Sequence, residues 1–276
     1  MSDVAEMDWR LIREQGRPGA MQMALDEVAA ETAADGGPCT VRVYRWSPGA
    51  LSLGYNQGAE TVDWDYCETQ GVDVTRRQTG GGGIYHDVVG DISYSITAPT
   101  EALPGDLMDC YRLLLEPILR AFEWLDVPVE FAEEERPELY QPACYLRELH
   151  PAHDVVVPGE HAGGQARKIS GTAQYRRRGA VVQHGSITFS ARPERHLAVF
   201  DDPGVSVEAF RERVTAVDEH TAATRKTAVR AVERSLAGWA DAYDGSWSEA
   251  ELDRARERVA EKYGNDAWIR GRDGER

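Results

Sequence analysis

Three groups of residues in this 276-residue chain have the types and spacing to do chemistry. The first is Arg76-Arg77-Gln78-Thr79-Gly80-Gly81-Gly82-Gly83-Ile84-Tyr85-His86-Asp87. Four consecutive glycines strip one turn of every Cβ, so the backbone can take positive φ and another group can come into contact with it. Glycine costs about 0.5–1 kcal/mol per ordered residue, so four in a row need a reason. With two arginines before the run, and His86 and Asp87 after it, the loop reads as wrapping an anionic or acyl ligand. The bland alternative is a flexible hairpin tip. The second group is Lys168-Ile169-Ser170-Gly171-Thr172-Ala173-Gln174, which strand alternation orients with Lys168, Ser170 and Thr172 on one face. A lysine on a half-buried strand is costly unless an anion meets it. The chain holds only three lysines (Lys168, Lys226, Lys262) against 28 arginines, so a lysine here suggests a compact, mobile point charge. The third is Cys144, a loop cysteine with Arg147, His150 and His153 nearby. Cys39, Cys67, Cys110 and Cys144 show no CxxC spacing, so neither a zinc site nor a disulfide framework is expected.

Several elements must position these groups. Met21 to Ala34 has helical spacing, with Met21, Leu25, Val28 and Ala29 on one face and Gly36-Gly37-Pro38 as a stop. Asp26 lies one position off that stripe, and either a solvated charge or a site role fits it. Val41–Trp46 and Leu51–Tyr55 read as strands, and a segment through Val72 and Val74 leads into the glycine loop. Asp91–Thr97 is a clear strand. Asp106 to Trp124 is a helix that Pro117 should kink or split. Phe131–His150 reads as loop and Asp154–Val157 as strand, with Glu160–Gln165 as a hairpin excursion. Arg167–Tyr175 and Ala180–Phe189 then pair, the second carrying His184. After Pro193 the pattern is helical near Val207–Val217, Ala223–Ala242 and Ser248–Tyr263. The expected fold class is therefore α+β: mixed and antiparallel sheets packed with helices. One domain is expected over residues 1–276, with a sheet-rich body over 1–192 and a helical segment over 193–276.

The formal charge of −16 argues against nucleic acid as a partner. The local exception is Arg176-Arg177-Arg178. An acidic, lysine-poor surface suits a salt-rich medium. No apolar run reaches the roughly 18 residues of a membrane span, and the N-terminus Met1-Ser-Asp-Val-Ala-Glu is not that of a signal peptide. A cytoplasmic protein with no membrane partner is expected.

The order of the motifs resembles the lipoate–protein ligase and octanoyltransferase superfamily, relatives of biotin–protein ligase. The resemblance rests on Gln22-Met-Ala-Leu-Asp26, Arg76-Arg77-x-x-Gly-Gly-Gly-x-x-x-His86-Asp87 and Gly90-Asp91-x-x-Tyr94-Ser95. Lys168-Ile-Ser-Gly-x-Ala-Gln174, Gln183-His-Gly-Ser-Ile187 and Glu261-Lys-Tyr-Gly-x-x-x-Trp268 continue it, so it spans nearly the whole chain.

It implies a set of roles. Gly80, Gly81, Gly82 and Gly83, with His86, Gly171 and His184, would line a pocket for a lipoyl or octanoyl chain, the two histidines positioning loops. Lys168 would reach the acyl carbonyl and, in a ligase, the α-phosphate of an acyl-adenylate. Arg76 and Arg77 would hold phosphate or brace the loop, and Ala173 would lie on the nucleotide side. Asp154 corresponds to a position near ATP and Mg2+, although His153 stands where ligases have asparagine. The ligase is the main reading, with ATP and Mg2+ as co-substrate. It is favoured by Arg211-Glu-Arg213-Val214-Thr215 and the helices that follow. The alternative is an octanoyltransferase in which Cys144 takes octanoate from acyl carrier protein without ATP. A second alternative is a non-catalytic binder of acyl groups or lipoyl domains, and a biotin–protein ligase ranks last because its glycine signature differs. Implied acceptors are apo lipoyl domains: E2 subunits of 2-oxoacid dehydrogenases and the glycine cleavage H protein. A separate small accessory ligase subunit would also fit, since no bacterial-type accessory domain is expected here.

Overall fold

The computed structural model describes residues 4–150, 153–177 and 179–271. Met1–Asp3 of the acidic N-terminus and Arg178 of the basic run lie outside the described residues. The chain opens with strand β1 (Trp9–Arg17), helix α1 (Gly19–Ala34) and strand β2 (Cys39–Trp46). β1 and β2 are parallel neighbours, and α1 supplies the crossover they require. β3 (Ala50–Leu53), α2 (Trp64–Gln70) and β4 (Asp73–Arg76) repeat the arrangement in a second sheet, which β5 (Ile84–His86) completes in the order β4-β3-β5. Two βαβ crossovers therefore supply the parallel part of the expected mixed sheets.

The remaining strands are β6 (Asp91–Pro99), β7 (Glu130–Phe131), β8 (Asp154–Val157), β9 (Arg167–Arg177), β10 (Ala180–Thr188) and β11 (Tyr243–Asp244). Together with β1 and β2 they form the large sheet, in the order β11-β1-β2-β6-β10-β9-β8-β7. From β2 through β7 every pairing is antiparallel. α3 (Leu107–Glu123) runs unbroken through Pro117, so of the expected kink or split the split does not occur. Leu114, Leu115, Ile118, Ala121 and Phe122 lie in the main core with the sheet and α7 (Arg225–Ala240), and this packing overrides the missing hydrogen bond. The segment at Glu160–Gln165 holds a short helix, α4 (Gly159–Ala162), rather than a hairpin.

The remaining helices are α5 (Pro193–Ala198), α6 (Val207–Arg213), α8 (Glu249–Arg258), a π-helical turn at Val259–Tyr263 and α9 (Asp266–Ile269). The helical segment is not an appendage, because β11 pairs with β1 at the edge of the large sheet.

α1 is central to the site. Most of its circumference is buried, including Gln22, Met23 and Asp26, because it packs against strands of both sheets. A Cβ on Gly19 would lie 3.2 Å from both the Thr75 and Trp46 side chains, so a larger residue at the start of α1 would require them to give by a few tenths of an ångström.

Candidate active site

A cavity of about 380 Å³ opens where α1, the glycine loop, β9 and β10 converge. At roughly the 30 Å³ that one water-sized group occupies, an eight-carbon chain needs about 240 Å³. Met23, Tyr44, Trp46 and Ile84 give one buried wall an apolar and aromatic surface, beside buried polar lining such as Ser52 and His86. The reactive end holds Cys144, Asp154 and Lys168, with the more open Arg147, Glu148 and His150 beside them.

Lys168 Nζ lies 2.6 Å from Asp154 Oδ1, and the two residues are 3% and 5% exposed. Burial pulls the Lys168 ammonium down, but Asp154 and then Cys144 more than offset it, holding the pKa above that of an ordinary lysine. The side chain therefore stays charged at neutral pH. Nζ also donates to the Cys144 carbonyl at 3.4 Å. Register explains its direction. Between β8 and β9, Val155 faces Ser170 but Val156 faces Lys168, so Ile169 has no partner. This bulge breaks the expected alternation. Ser170 is withdrawn from the cavity lining, while Gly171, Thr172 and Ala173 join Lys168 there.

The four glycines divide into two pairs. Gly80 and Gly81 line the cavity, Gly81 with φ +93°. Gly82 and Gly83 do not, which corrects their expected role as acyl contacts. They receive the cysteine turn instead. Gly83 N–H donates to the Pro142 carbonyl at 2.6 Å, and Cys144 N–H donates to the Gly83 carbonyl at 2.7 Å. A Cβ on Gly82 would lie 2.6 Å from the Pro142 oxygen and 2.9 Å from Cys144 N. The glycine loop is bare partly because the Cys144 backbone lies on it.

The arginines need correction as phosphate ligands. Arg76 is 0% exposed and donates to the carbonyls of Gly54, Tyr55, Gln57, Trp268 and Ile269. Arg77 lines the cavity, but its guanidinium donates to the Ser52, Gly80 and Gly82 carbonyls and to Thr79 Oγ1. Both brace loops. Asp154 also differs from its expected Mg2+ role. Its Oδ1 meets Lys168 and its Oδ2 accepts from His150 N–H at 2.9 Å. Among the described residues no group of three His, Cys, Asp or Glu is arranged to hold a metal. That excludes an all-protein cage among them, whereas a magnesium ion carried by ATP phosphates would need only one or two carboxylates.

Both expected histidines line the cavity with both ring nitrogens engaged. His184 meets Thr79 Oγ1 at 2.8 Å and Asp26 Oδ2 at 3.1 Å. His86 meets Ser52 Oγ at 3.0 Å and Asp91 Oδ2 at 3.2 Å, and stacks on Trp46 at 4.0 Å. Burial lowers the His86 pKa despite Asp91, so the ring stays neutral. Asp26 is buried rather than solvated, paired with Arg42 at 2.7 Å. Burial pushes its carboxyl up, but Arg42 and then His184 hold it below the usual carboxylate range.

Burial pushes the Cys39 and Cys67 thiols up to about 11 and raises that of Cys110. Among the four cysteines Cys144 alone lines the cavity. The motifs did not include Ser52 or Tyr111, both in the lining. Ser52 had a signal, since a serine between Leu51 and Leu53 faces away from the leucines. For Tyr111, on a helix face remote in sequence, there was none.

The lipoyl protein ligase A/B catalytic-domain model matches residues 18–237. The chain belongs to that family. It is 33% identical over 233 residues to the octanoyltransferase LipM of Geobacillus kaustophilus, covering 80% of this chain and 81% of the relative. It is 32% identical to the octanoyltransferase LipM of an Exiguobacterium species, covering 95% and 97%. Among solved structures, a bi-partite lipoate protein ligase from Thermoplasma acidophilum superposes with a TM-score of 0.78 at 25% identity, covering 97% of this chain and 98% of that one. A lipoate-protein ligase A bound with ATP gives the same score and identity, covering 96% and 100%. The chain is thus an enzyme of the lipoyl and octanoyl attachment family, with the α+β fold expected from its sequence.

Proposed function

We propose that this protein is an octanoyltransferase in which Cys144 carries the acyl group from an acyl carrier protein thioester to the acceptor lysine of a lipoyl domain. The reading rests on one observation: the Cys144 turn is hydrogen-bonded onto the glycine loop, in the same cavity wall as Lys168. The octanoyltransferase names of the relatives support it over the ATP-dependent ligase first favoured. The ligase reading keeps the support of the solved ligase structures and of the segment Arg211-Glu-Arg213-Val214-Thr215. Residues 1–276 are taken as one catalytic unit, acting on E2-type or H-protein lipoyl domains.

In the first half-reaction the Cys144 thiolate attacks the donor's thioester carbonyl carbon. The C–S bond to the carrier then breaks, and the carrier sulfur leaves as a thiol by taking up the proton that Cys144 gave up on forming its thiolate. The oxyanion formed on the way is met by the Lys168 ammonium, a fixed charge in a buried site where such stabilisation contributes about 3–4 kcal/mol. In the second half the acceptor lysine's neutral amine attacks the Cys144 thioester. The C–N bond forms, the amine gives up a proton, and Cys144 is released. The octanoyl tail lies along Met23, Trp46 and Ile84, with Gly80 and Gly81 admitting its carboxyl end.

The test incubates apo lipoyl domain with octanoyl-acyl carrier protein, or with lipoate or octanoate plus Mg-ATP. The expected result is modification in the first mixture only, with an octanoyl adduct on Cys144 seen by intact mass. Cys144→Ser should lower the rate by roughly a thousandfold or more, the scale on which removing a nucleophile acts. Modification only with ATP, untouched by Cys144→Ser, would return the protein to the ligase reading.

A further inference from the structure

Asp91 does not line the cavity, yet hydrogen bonds from two of its walls end on this one buried carboxylate. The first arm comes from the nucleophile turn. Thr188 donates to the Tyr145 hydroxyl at 3.1 Å, Tyr145 contacts Ser186 Oγ at 3.3 Å, and Ser186 donates to Asp91 Oδ1. Tyr145 follows Cys144 in the chain, and its ring lies 5.5 Å from Lys168 Nζ. The second arm comes from the acyl wall. Ser93 Oγ donates to Asp91 Oδ2 at 2.6 Å and accepts from Trp46 Nε1 at 2.8 Å. His86 Nδ1 lies 3.2 Å from the same oxygen, and its Nε2 lies 3.0 Å from Ser52 Oγ. Ser52 is held in turn by Arg77, the brace of Gly80 and Gly82.

An ionised carboxylate only accepts. Each group touching it must therefore donate, and the direction of every hydrogen bond behind those groups follows. Ser186 turns its one proton to Asp91, so Tyr145 donates to Ser186. His86 carries its proton on Nδ1, so its Nε2 accepts from Ser52. Among the described residues Asp91 has no lysine or arginine in ion-pair contact, only the imidazole of His86. These donors meet its carboxylate oxygens, while the Arg225 guanidinium donates to the Asp91 backbone carbonyl at 2.8 Å.

We propose that Asp91 is a positioning residue that locks the Cys144 turn to the acyl wall, so that the thiol and the bound acyl chain keep one geometry. The proposal rests on the Cys144 transferase reading for what is positioned. The network itself can be tested without it.

Asp91→Asn keeps the shape but leaves a single acceptor oxygen, so one arm must reverse. The experiment measures octanoyl-Cys144 formation by rapid quench and mass spectrometry. It uses Tyr145→Phe, Ser52→Ala and the double variant, each made both in the wild-type background and in the Asp91→Asn background. With Asp91 intact, the double loss should depart from the product of the single losses by about fivefold, the scale of coupling within one network. In the Asp91→Asn background the product should hold to within about twofold, as for independent sites. Asp91→Asn alone should lower the acylation kcat by about tenfold or more, with KM within about twofold, as for an interaction made only in the transition state. Should Asp91→Asn not fold, Ser186→Ala severs the first arm with the carboxylate intact and must abolish the coupling equally.

Wild-type rates in Asp91→Asn, or equal coupling in both backgrounds, would overturn the proposal. So would thioester hydrolysis that Ser52→Ala removes, since Ser52, His86 and Asp91 would then be a hydrolytic triad. Nitrogen-15 spectra of histidine-labelled protein should place the His86 proton on Nδ1, and a proton on Nε2 overturns the network whatever the reaction. Absence of any acyl-Cys144 in the wild type, with that tautomer present, faults the transferase reading instead.

Discussion

A Cβ on Gly171 would lie 2.9 Å from Cε and 3.0 Å from Nζ of Lys168. The obstructing atoms are the far end of a flexible side chain, so Gly171→Ala should displace the ammonium rather than the strand. The expected outcome is a fall in acylation rate of about tenfold or more, or about 1.4 kcal/mol of barrier, with little change in Tm. A single-turnover assay beside a thermal melt checks it, and an unchanged rate would mean Lys168 is not held in place for the acyl carbonyl. Lys168→Ala should cost more. It removes the cation and leaves buried Asp154 uncompensated, which destabilises by about 3–5 kcal/mol, so urea unfolding should shift together with the lost activity. At this scale much was legible. Lys168 stood out in a lysine-poor chain, and Cys144 was the cysteine with chemistry around it. What alternation could not show was the bulge at Ile169, a property of pairing with β8, and it decides that Gly171 rather than Ser170 shares the lysine's face.

Elements bring the site residues together through contacts that few local patterns announce. β1 carries Arg10, Arg13, Glu14 and Arg17, and reads as too charged for an interior strand. It pairs along its length with β2 and buries Trp9, Leu11 and Ile12, and α8, far along the chain, meets Arg10 with Glu251 at 2.5 Å. Pro117 misleads in the opposite sense, since a breaker is tolerated where the helix face is already packed. Arg76 shows why the arginine pair read as a phosphate site: two cations beside glycines look the same whether they face a ligand or the protein's own carbonyls. Its partners come from the segment after β3 and from α9, so the residue ties the C-terminus to the glycine loop. Trp268 Nε1 returns a bond to the Arg76 carbonyl at 2.9 Å. Arg76→Met should strand several buried carbonyls at about 1–3 kcal/mol each, lowering stability and loosening the loop. Denaturant unfolding should register the first effect and a raised KM for the octanoyl donor the second. A normal KM in a destabilised protein would show that the clamp does not reach the pocket.

At the scale of the molecule, protonation and salt act on the same marginal stability. His196 is buried against Tyr85, Tyr145 and Phe210, and burial lowers its pKa to about 4. A folded-state pKa below the unfolded value of about 6.5 gives stability that is complete above pH 6.5 and lost as pH falls toward 4, by up to about 3 kcal/mol. Arg10 and the α8 cap lower the Glu251 pKa to about 2 against its burial, so a second loss follows between about 4.5 and 2. His196→Phe should remove the His196 share of the first window, leaving what the lowered His86, His153 and His220 contribute, and should leave the second. A Tm profile unchanged between pH 6.5 and 4 would refute the assignment to His196. The charge of −16 acts in the other direction. Surface carboxylates repel one another most when the screening length is long, about 10 Å at 0.1 M salt, and far less at 1 M, where it is about 3 Å. Tm should therefore climb between low and molar KCl at pH 7, and the climb should shrink near pH 4, where protonation removes the same repulsion. A Tm indifferent to KCl would mean that the acidic surface is already balanced by its arginines, leaving salt adaptation without a physical basis in this chain.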